Sequence, residues 1–160
     1  SNQVSLEEFD ELFAKESKLA GHEIRGKEVI SMLSGDLRPK MVELLKLCKE
    51  QYKVACITNN VKAGRGPGMS SDDDKASKVS KVMALFDDVI ESSVEGIRKP
   101  NPEIYKLACQ RISVEPEKCL FIDDLGINLK PAKELGMKTI KVLSEAQALK
   151  DICLITKIHL

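Results

Sequence analysis

Three sets of polar residues stand where chemistry could occur, at or between the ends of short apolar runs. The apolar run 54–57 stops at Thr58-Asn59-Asn60, which offers a hydroxyl and two amides. The apolar run 119–122 stops at Asp123-Asp124, which offers two hard oxygen ligands. Lys99 lies between them in the chain, beside a proline that stiffens its loop. Because ligands of open α/β sheets bind beyond the carboxyl ends of the strands, we expect these side chains to form one site.

The chemistry that these residue types favour is phosphate binding with a magnesium ion. Two adjacent carboxylates at a buried strand end repel each other, so a cation beside them would stabilise both. A site with few protein oxygen ligands suits Mg²⁺, which keeps several waters and accepts a substrate phosphate oxygen. Lys99 and the Thr58 hydroxyl would bind the other phosphate oxygens, where phosphoryl transfer develops charge.

Each part of the pattern also has a purely structural interpretation. Thr58 could be the N-cap of a helix, and Lys99 could be a solvated loop lysine. The pair Asp123-Asp124 could form a turn and a cap. Their order and their common placement beside apolar runs favour the joint interpretation as a phosphate site.

Helical spacing alternates with short apolar runs, which predicts a doubly wound α/β domain with a parallel sheet. The predicted helices cover 5–20, 25–34, a segment that begins at Pro39, 79–86, 104–108 and 129–135, and the predicted strands cover 54–57, 88–92, 119–122 and 139–142. Ser5 and Glu8 predict a capping box for the first helix. Segment 62–78 is rich in Gly, Ser, Asp and Lys and predicts an exposed loop, whereas 146–160 favours a helix over a strand.

Composition excludes several classes of protein. The chain of 160 residues is 42% hydrophobic, which is enough for one sizeable core. Its 25 basic residues balance 25 acidic ones, so no net charge draws it to nucleic acid or to an anionic membrane. Five cysteines without a C-x-x-C pair favour reduced, buried thiols. Since no apolar run approaches the ~18 residues of a membrane span and no signal-peptide pattern opens the chain, we expect a cytoplasmic or other intracellular protein.

Three segments resemble the second, third and fourth motifs of the haloacid dehalogenase (HAD) superfamily. They are Ile-Thr-Asn-Asn at 57–60, Gly-Ile-Arg-Lys-Pro-Asn-Pro-Glu-Ile-Tyr at 96–105, and Phe-Ile-Asp-Asp-Leu-Gly-Ile-Asn-Leu-Lys-Pro-Ala at 121–132. The likeness covers nearly the whole chain and is closest to the N-terminal phosphatase domain of soluble epoxide hydrolase and to the related domain fused to some acyl-CoA dehydrogenases. It implies part of a small helical cap over residues 1–36 and a Rossmann-like core over residues 37–160.

The resemblance also implies roles for single residues. The implied catalytic residues are Lys99, Asp123 and Asp124, of which the two aspartates would hold Mg²⁺. The implied substrate-binding residues are Thr58, Asn59, Asn60, Lys99 and Asn128, with Asn128 in a supporting position. Lys99 would stabilise both the nucleophile and the transferring phosphate.

The chain departs from the family at the nucleophile. Members open with an apolar strand that ends in D-x-D, whose first aspartate is phosphorylated and whose second acts as general acid and base. No stretch matches: Phe9-Asp10 lies in a helical pattern, Asp72-Asp73-Asp74 in a polar segment, and Phe86-Asp87-Asp88 after the threonine motif. In these folds that strand lies between the strands that end here at Thr58 and Asp123, so its absence would leave a central gap. Either a preceding stretch of the protein carries it, or another segment or subunit fills the gap.

Four functions follow from these residues and this resemblance. The first is hydrolysis of a small-molecule phosphate monoester through an aspartyl-phosphate, with Mg²⁺ as cofactor and a lipid phosphate as one candidate substrate; the chain without its nucleophile is then expected to be inactive. The second is a noncatalytic phosphate-binding or scaffolding module of a multidomain protein. The third is a phosphoacceptor receiver domain, and chain order argues against it, because the receiver pattern has the acidic pair first and the lysine last. The double aspartate favours phosphate chemistry over the fourth, dehalogenation. A fused domain or a second copy of the chain is the expected protein partner.

Overall fold

The computed structural model describes residues 4–32, 35–60 and 73–160. Its helices are α1 (Leu6–Leu19), α2 (Gly26–Met32), α3 (Pro39–Gln51), α4 (Asp73–Met83), α5 (Ser92–Glu95), α6 (Pro102–Ile112), α7 (Gly126–Glu134) and α8 (Glu145–Thr156). Its strands are β1 (Ala55–Thr58), β2 (Asp88–Glu91), β3 (Leu120–Asp123) and β4 (Lys138–Lys141), and a 3₁₀ turn covers Pro116–Lys118. The order of helices and parallel strands confirms the predicted α/β class.

The strands form two parallel pairs. β1 pairs with β2, with Thr58 opposite Glu91, and β3 pairs with β4, with Asp123 opposite Lys141. Within the described ranges, no backbone hydrogen bond joins β1 to β3. Both strands are only half-buried over most of their length. In the described residues, the strand that ends at Thr58 and the strand that ends at Asp123 therefore belong to separate two-stranded sheets, and we call the break between them the interruption.

Helix α6 packs against both pairs of strands. Asn101 caps it, since its side-chain oxygen accepts a hydrogen bond from Glu103 N at 3.0 Å, and Pro102 occupies the first turn, where no backbone donor is needed. Its buried face belongs to a cluster that also takes in Ile57 of β1 and Phe121 of β3. The buried members of that cluster are Ile90, Ile104, Tyr105, Ala108, Cys109, Ala132 and Met137. α6 is thus the common support of the two strand pairs.

A second cluster covers the other face of β3 and β4. Its buried members are Leu44, Ile140, Ile152 and Ile158, which come from α3, β4, α8 and the tail that follows α8. Leu120 and Ile122 of β3 pack against it, whereas Phe121 faces the α6 cluster. This alternation is that of a strand covered on both faces.

Helices α1 and α2 form a hairpin that is held by Asp10. This side chain is 1% exposed, accepts a hydrogen bond from Lys27 N at 2.9 Å and forms an ion pair with Arg25. Gly26 permits the close approach, because a Cβ there would lie 2.8 Å from the Cα of Asp10 and 2.9 Å from the Phe9 ring. At the start of α1, the predicted capping box is present: Ser5 Oγ accepts from Glu8 N at 3.2 Å, and Glu8 Oε2 accepts from Ser5 N at 2.7 Å.

Two sequence predictions need correction. The predicted loop over 62–78 is wrong from residue 73 onward, because α4 begins at Asp73; residues 62–72 of that prediction lie outside the described residues. α7 begins at Gly126 instead of Leu129. In both helices the first turn carries too few apolar residues to produce helical periodicity, and only the later turns supply that signal. Within the three described ranges, no helix has the length and apolar character that a membrane crossing requires.

Candidate functional site

Lys99 and Asp123 meet at the interruption between the strand pairs. Lys99 Nζ lies 2.8 Å from Asp123 Oδ2, and the two side chains are 13% and 5% exposed. Asp123 is the last residue of β3, and Lys99 lies in the loop between α5 and α6. A charge-assisted hydrogen bond between largely buried groups is among the stronger polar contacts in proteins. The structure therefore brings together two of the residues that were predicted to form one site.

The second carboxylate oxygen of Asp123 accepts two further hydrogen bonds. Oδ1 accepts hydrogen bonds from Leu125 N at 2.8 Å and from Asn128 Nδ2 at 3.0 Å. Burial by itself would raise the pKa of Asp123, but the hydrogen bonds from Lys99, Leu125 and Asn128 lower it below the ordinary value. Asp123 is consequently an anion at neutral pH, as a metal ligand must be.

Asn128 links Asp123 to α6. It is 4% exposed in the first turn of α7, and its backbone carbonyl accepts a 2.7 Å hydrogen bond from the hydroxyl of Tyr105. Burial, together with the charge of Asp123, raises the pKa of Tyr105 to about 12, so the hydroxyl remains a donor. In the sequence, Tyr105 counted only as an apolar helix position; the signal that could have found it is that a buried tyrosine hydroxyl needs a partner.

Phe121 contacts both sides of the site. Its ring meets that of Tyr105 edge-on, with centroids 5.1 Å apart and planes at 83°. Lys99 Nζ lies 5.8 Å from the centroid of the same ring. A cation near an aromatic face is attracted by the ring quadrupole, so Phe121 helps to hold the ammonium in place.

Asn59 holds the backbone of Lys99. Its Nδ2 donates to Lys99 O at 3.0 Å, and its Oδ1 accepts from Lys99 N at 2.9 Å. The peptide bond that follows, Lys99-Pro100, is cis. Both atoms of the Asn59 amide thus have protein partners, and its predicted contact with substrate stays a prediction.

Asn60 ties the end of β1 to the end of β2. Its Nδ2 donates to the Glu91 carboxylate, its Oδ1 accepts from Ser93 N at 3.2 Å, and its carbonyl accepts from Ser92 Oγ at 3.1 Å. Asn60 is 8% exposed in this arrangement. Asn60 therefore connects the two strand ends, beside the half-buried Thr58, and its predicted contact with substrate stays a prediction.

The acidic stretches considered as nucleophiles lie elsewhere. Asp10 lies within α1 and pairs with Arg25, and Asp73 begins α4. Asp88 begins β2 instead of following it, so it lies at the amino end of a strand. Asp72 lies outside the described residues. None of the described residues in these stretches follows the carboxyl end of a strand.

A metal at this site would rely on Asp123 and Asp124. Asp124 is exposed and adjacent to Asp123 in the turn that follows β3. In the part of the chain that the structure describes, no group of three or more His, Cys, Asp or Glu side chains could hold a metal ion. Two carboxylates nonetheless fit Mg²⁺, which takes much of its octahedral shell from water and substrate oxygens.

Comparison with known proteins decides the family. A model described as "haloacid dehalogenase-like hydrolase" matches residues 3–136. The chain belongs to this family of HAD-like hydrolases. Among its relatives, acyl-CoA dehydrogenase family member 10 of Mus musculus is 34% identical over 92% of this chain and 13% of that protein. Bifunctional epoxide hydrolase 2 of Mus musculus is 31% identical over 89% of this chain and 26% of that protein.

Solved structures agree on the HAD fold. A HAD family enzyme of Bacteroides thetaiotaomicron, in complex with magnesium and inorganic phosphate, superposes with a TM-score of 0.61 at 23% identity. The match covers 89% of this chain and 72% of that one. This HAD-like chain spans about a quarter or less of the length of these two relatives.

Proposed function

We propose that this HAD-like domain, once completed by a strand that ends in D-x-D, hydrolyses phosphate monoesters with Mg²⁺ through an aspartyl-phosphate. The observation that carries the proposal is the Lys99–Asp123 ion pair, which places a cation and an anionic oxygen ligand together at the carboxyl ends of parallel strands. The complex of a HAD enzyme with magnesium and inorganic phosphate supports the choice of metal and substrate class.

Each residue of the site then has a separate task. Asp123 and Asp124 would hold Mg²⁺, which when bound neutralises charge on the transferring phosphoryl group. The Lys99 ammonium binds a phosphoryl oxygen and the attacking carboxylate, and the Thr58 hydroxyl donates to another oxygen. Asn128 keeps the Asp123 carboxylate in one orientation through its 3.0 Å hydrogen bond.

The strand that ends in D-x-D would lie between β1 and β3 in the completed domain. Both strands run parallel to their partners, both are half-buried, and both pack on α6, yet no backbone hydrogen bond joins them within the described ranges. Unpaired backbone groups at the centre of a sheet are costly, so a parallel strand placed there would stabilise the domain. Its carboxyl end would lie beside Lys99 and Asp123, where the nucleophile is needed. Residues 1–36, with the α1–α2 hairpin, would form part of the cap, and residues 37–160 the core.

The test compares this chain with a longer protein that contains a D-x-D strand. We expect the chain to leave p-nitrophenyl phosphate unchanged and the longer protein to hydrolyse it only with Mg²⁺. Asp123→Asn in the longer protein should abolish turnover, whereas Asp151→Asn in α8 is the matched charge-loss control and should not. Turnover without Mg²⁺, or turnover that survives Asp123→Asn, would exclude the proposed metal site.

A second function is a noncatalytic phosphate-binding or scaffolding module. It would need a phosphate-binding cation such as Lys99, which lies beside Asp123 at the candidate site, but no nucleophile. Under this hypothesis the longer protein binds inorganic phosphate, as calorimetry would measure, without hydrolysing aryl phosphates. A fused domain or a second copy of the chain would then be the partner that the module serves.

A further inference from the structure

Tyr105 is one of the most deeply buried side chains among the described residues, and it contacts both Asn128 and Phe121 of the candidate site. It is 0% exposed, lies on α6 and belongs to the cluster that supports both strand pairs. Neither its burial nor its ring contact requires a hydroxyl, since phenylalanine would satisfy both. The hydroxyl therefore needs its own explanation.

The hydroxyl acts on Asp123 through one intermediate residue. It donates to Asn128 O at 2.7 Å, and Asn128 Nδ2 donates in turn to Asp123 Oδ1 at 3.0 Å. Both hydrogen bonds lie in buried surroundings, where an unsatisfied carbonyl is costly. Fixing the backbone of Asn128 limits where its side chain can reach, and so fixes the carboxylate that it holds.

The ring acts on Lys99 through another intermediate residue. Its edge-on contact at 5.1 Å sets the plane of Phe121, and Lys99 Nζ lies 5.8 Å from the centroid of Phe121. Asp123 is the last residue of β3, whereas Lys99 follows β2 and α5 in the chain. One side chain on α6 thus reaches a group on each side of the interruption in the sheet.

We propose that Tyr105 is a positioning residue that sets the orientation of Asp123 and Lys99 relative to each other. The inference deepens the proposed function and rests on it, because it concerns the same magnesium and phosphate site. Groups that orient metal ligands through hydrogen bonds commonly change metal affinity when they are removed. Tyr105 would do so without touching metal or substrate.

The chain contains a matched control for this hydroxyl. Of its two tyrosines, the other is Tyr52, whose hydroxyl donates to Thr156 O at 2.8 Å. Tyr52 lies between the end of α3 and the amino end of β1, whereas Asp123 is the last residue of β3. Tyr52→Phe and Tyr105→Phe therefore each remove one hydrogen bond from a hydroxyl to a backbone carbonyl, and only one of them faces the site.

The experiment measures Mg²⁺ binding by calorimetry for the wild-type chain and both variants. We expect Tyr105→Phe to weaken Mg²⁺ binding about threefold to tenfold and Tyr52→Phe to leave it unchanged. Equal Mg²⁺ affinity in the wild type and Tyr105→Phe would overturn the proposal, even if Tyr105→Phe unfolds more easily. A wild-type chain that binds no Mg²⁺ would count against the proposed metal site of this chain instead.

A second measurement tests the positioning without metal. NMR would measure the hydrogen exchange of the Asn128 side-chain amide, which donates to Asp123 Oδ1 and which we expect to be protected by that bond. Tyr105→Phe should speed this exchange about tenfold, whereas Tyr52→Phe should not change it. Unchanged exchange in Tyr105→Phe would contradict the inference whatever the outcome with Mg²⁺.

Discussion

Lys99 Nζ lies 2.8 Å from Asp123 Oδ2, and this contact connects the two separate pairs of strands. The lysine belongs to the loop after β2 and α5, and the aspartate ends β3. The ion pair therefore contributes to the relative placement of two parts of the core as well as to the proposed site. Removing either charge would leave the other largely buried without its partner.

Asp123→Asn should lower the free energy of unfolding by about 1–3 kcal/mol, because it leaves the Lys99 ammonium without an anionic partner. Urea denaturation followed by circular dichroism measures this change. Asp124→Asn is the control next in sequence: its side chain is exposed, and we expect a change within about 0.5 kcal/mol. Equal loss of stability in the two variants would contradict the special role of Asp123.

The contribution of Asp123 to stability should disappear in acid. Hydrogen bonds from Lys99, Leu125 and Asn128 outweigh the effect of burial and lower the pKa of Asp123 in the folded protein. A carboxyl group whose pKa is lowered by folding stabilises the folded protein at pH values above its unfolded-state pKa, which is about 3.9. This stabilisation is lost as the pH falls through the folded-state pKa. The stability difference between the wild type and Asp123→Asn should thus be constant from about pH 7 to pH 5 and shrink below about pH 4. A stability difference between the two proteins that grows as the pH falls would show that folding does not lower the pKa of Asp123.

Asn59→Ala should release the loop that carries Lys99. The change removes the two hydrogen bonds to the backbone N–H and C=O of Lys99, and we expect a loss of about 1–2 kcal/mol in unfolding free energy. Hydrogen exchange of the Lys99 backbone amide should become faster, as NMR or mass spectrometry can measure. Ser144→Ala removes the cap of α8 and serves as a remote control that should leave this exchange unchanged. Persistent protection of the Lys99 amide in Asn59→Ala would mean that Asn59 does not hold it.

Gly26→Ala should loosen the α1–α2 hairpin. The new Cβ would lie 2.8 Å from the Cα of Asp10, a contact that only a backbone shift can relieve. Overpacking of this kind costs about 1–3 kcal/mol, and hydrogen exchange within α1 should become faster. Gly35→Ala meets nothing within 4 Å and should be tolerated. A hairpin in Gly26→Ala as well protected as in Gly35→Ala would show that the close approach is not required.

Much of the fold could be predicted from local patterns. Apolar residues at helical spacing identified α1, α3, α6 and α8, and short apolar runs located all four described strands to within about two residues. The capping box at Ser5 and the proline at the start of α3 marked helix ends, because caps depend on residues a few positions apart. The failures lie at the starts of α4 and α7: the first turn of α4 is polar, and the first turn of α7 has an apolar residue, Ile127, that is exposed.

Order along the chain was enough to predict that Lys99 and Asp123 lie close together, because parallel strands end at a common edge of the sheet. Order along the chain did not predict the partners of the two amide side chains. Asn59 bonds to the backbone of Lys99, 40 residues away, and Asn60 bonds to Glu91 across β1 and β2. The hydrogen bond from the Tyr105 hydroxyl to Asn128, 23 residues away, was not predicted either. Such hydrogen bonds depend on distance and direction in space, and no residue spacing encodes them. The tertiary structure alone therefore decided which polar groups support the ion pair and which remain available to a ligand.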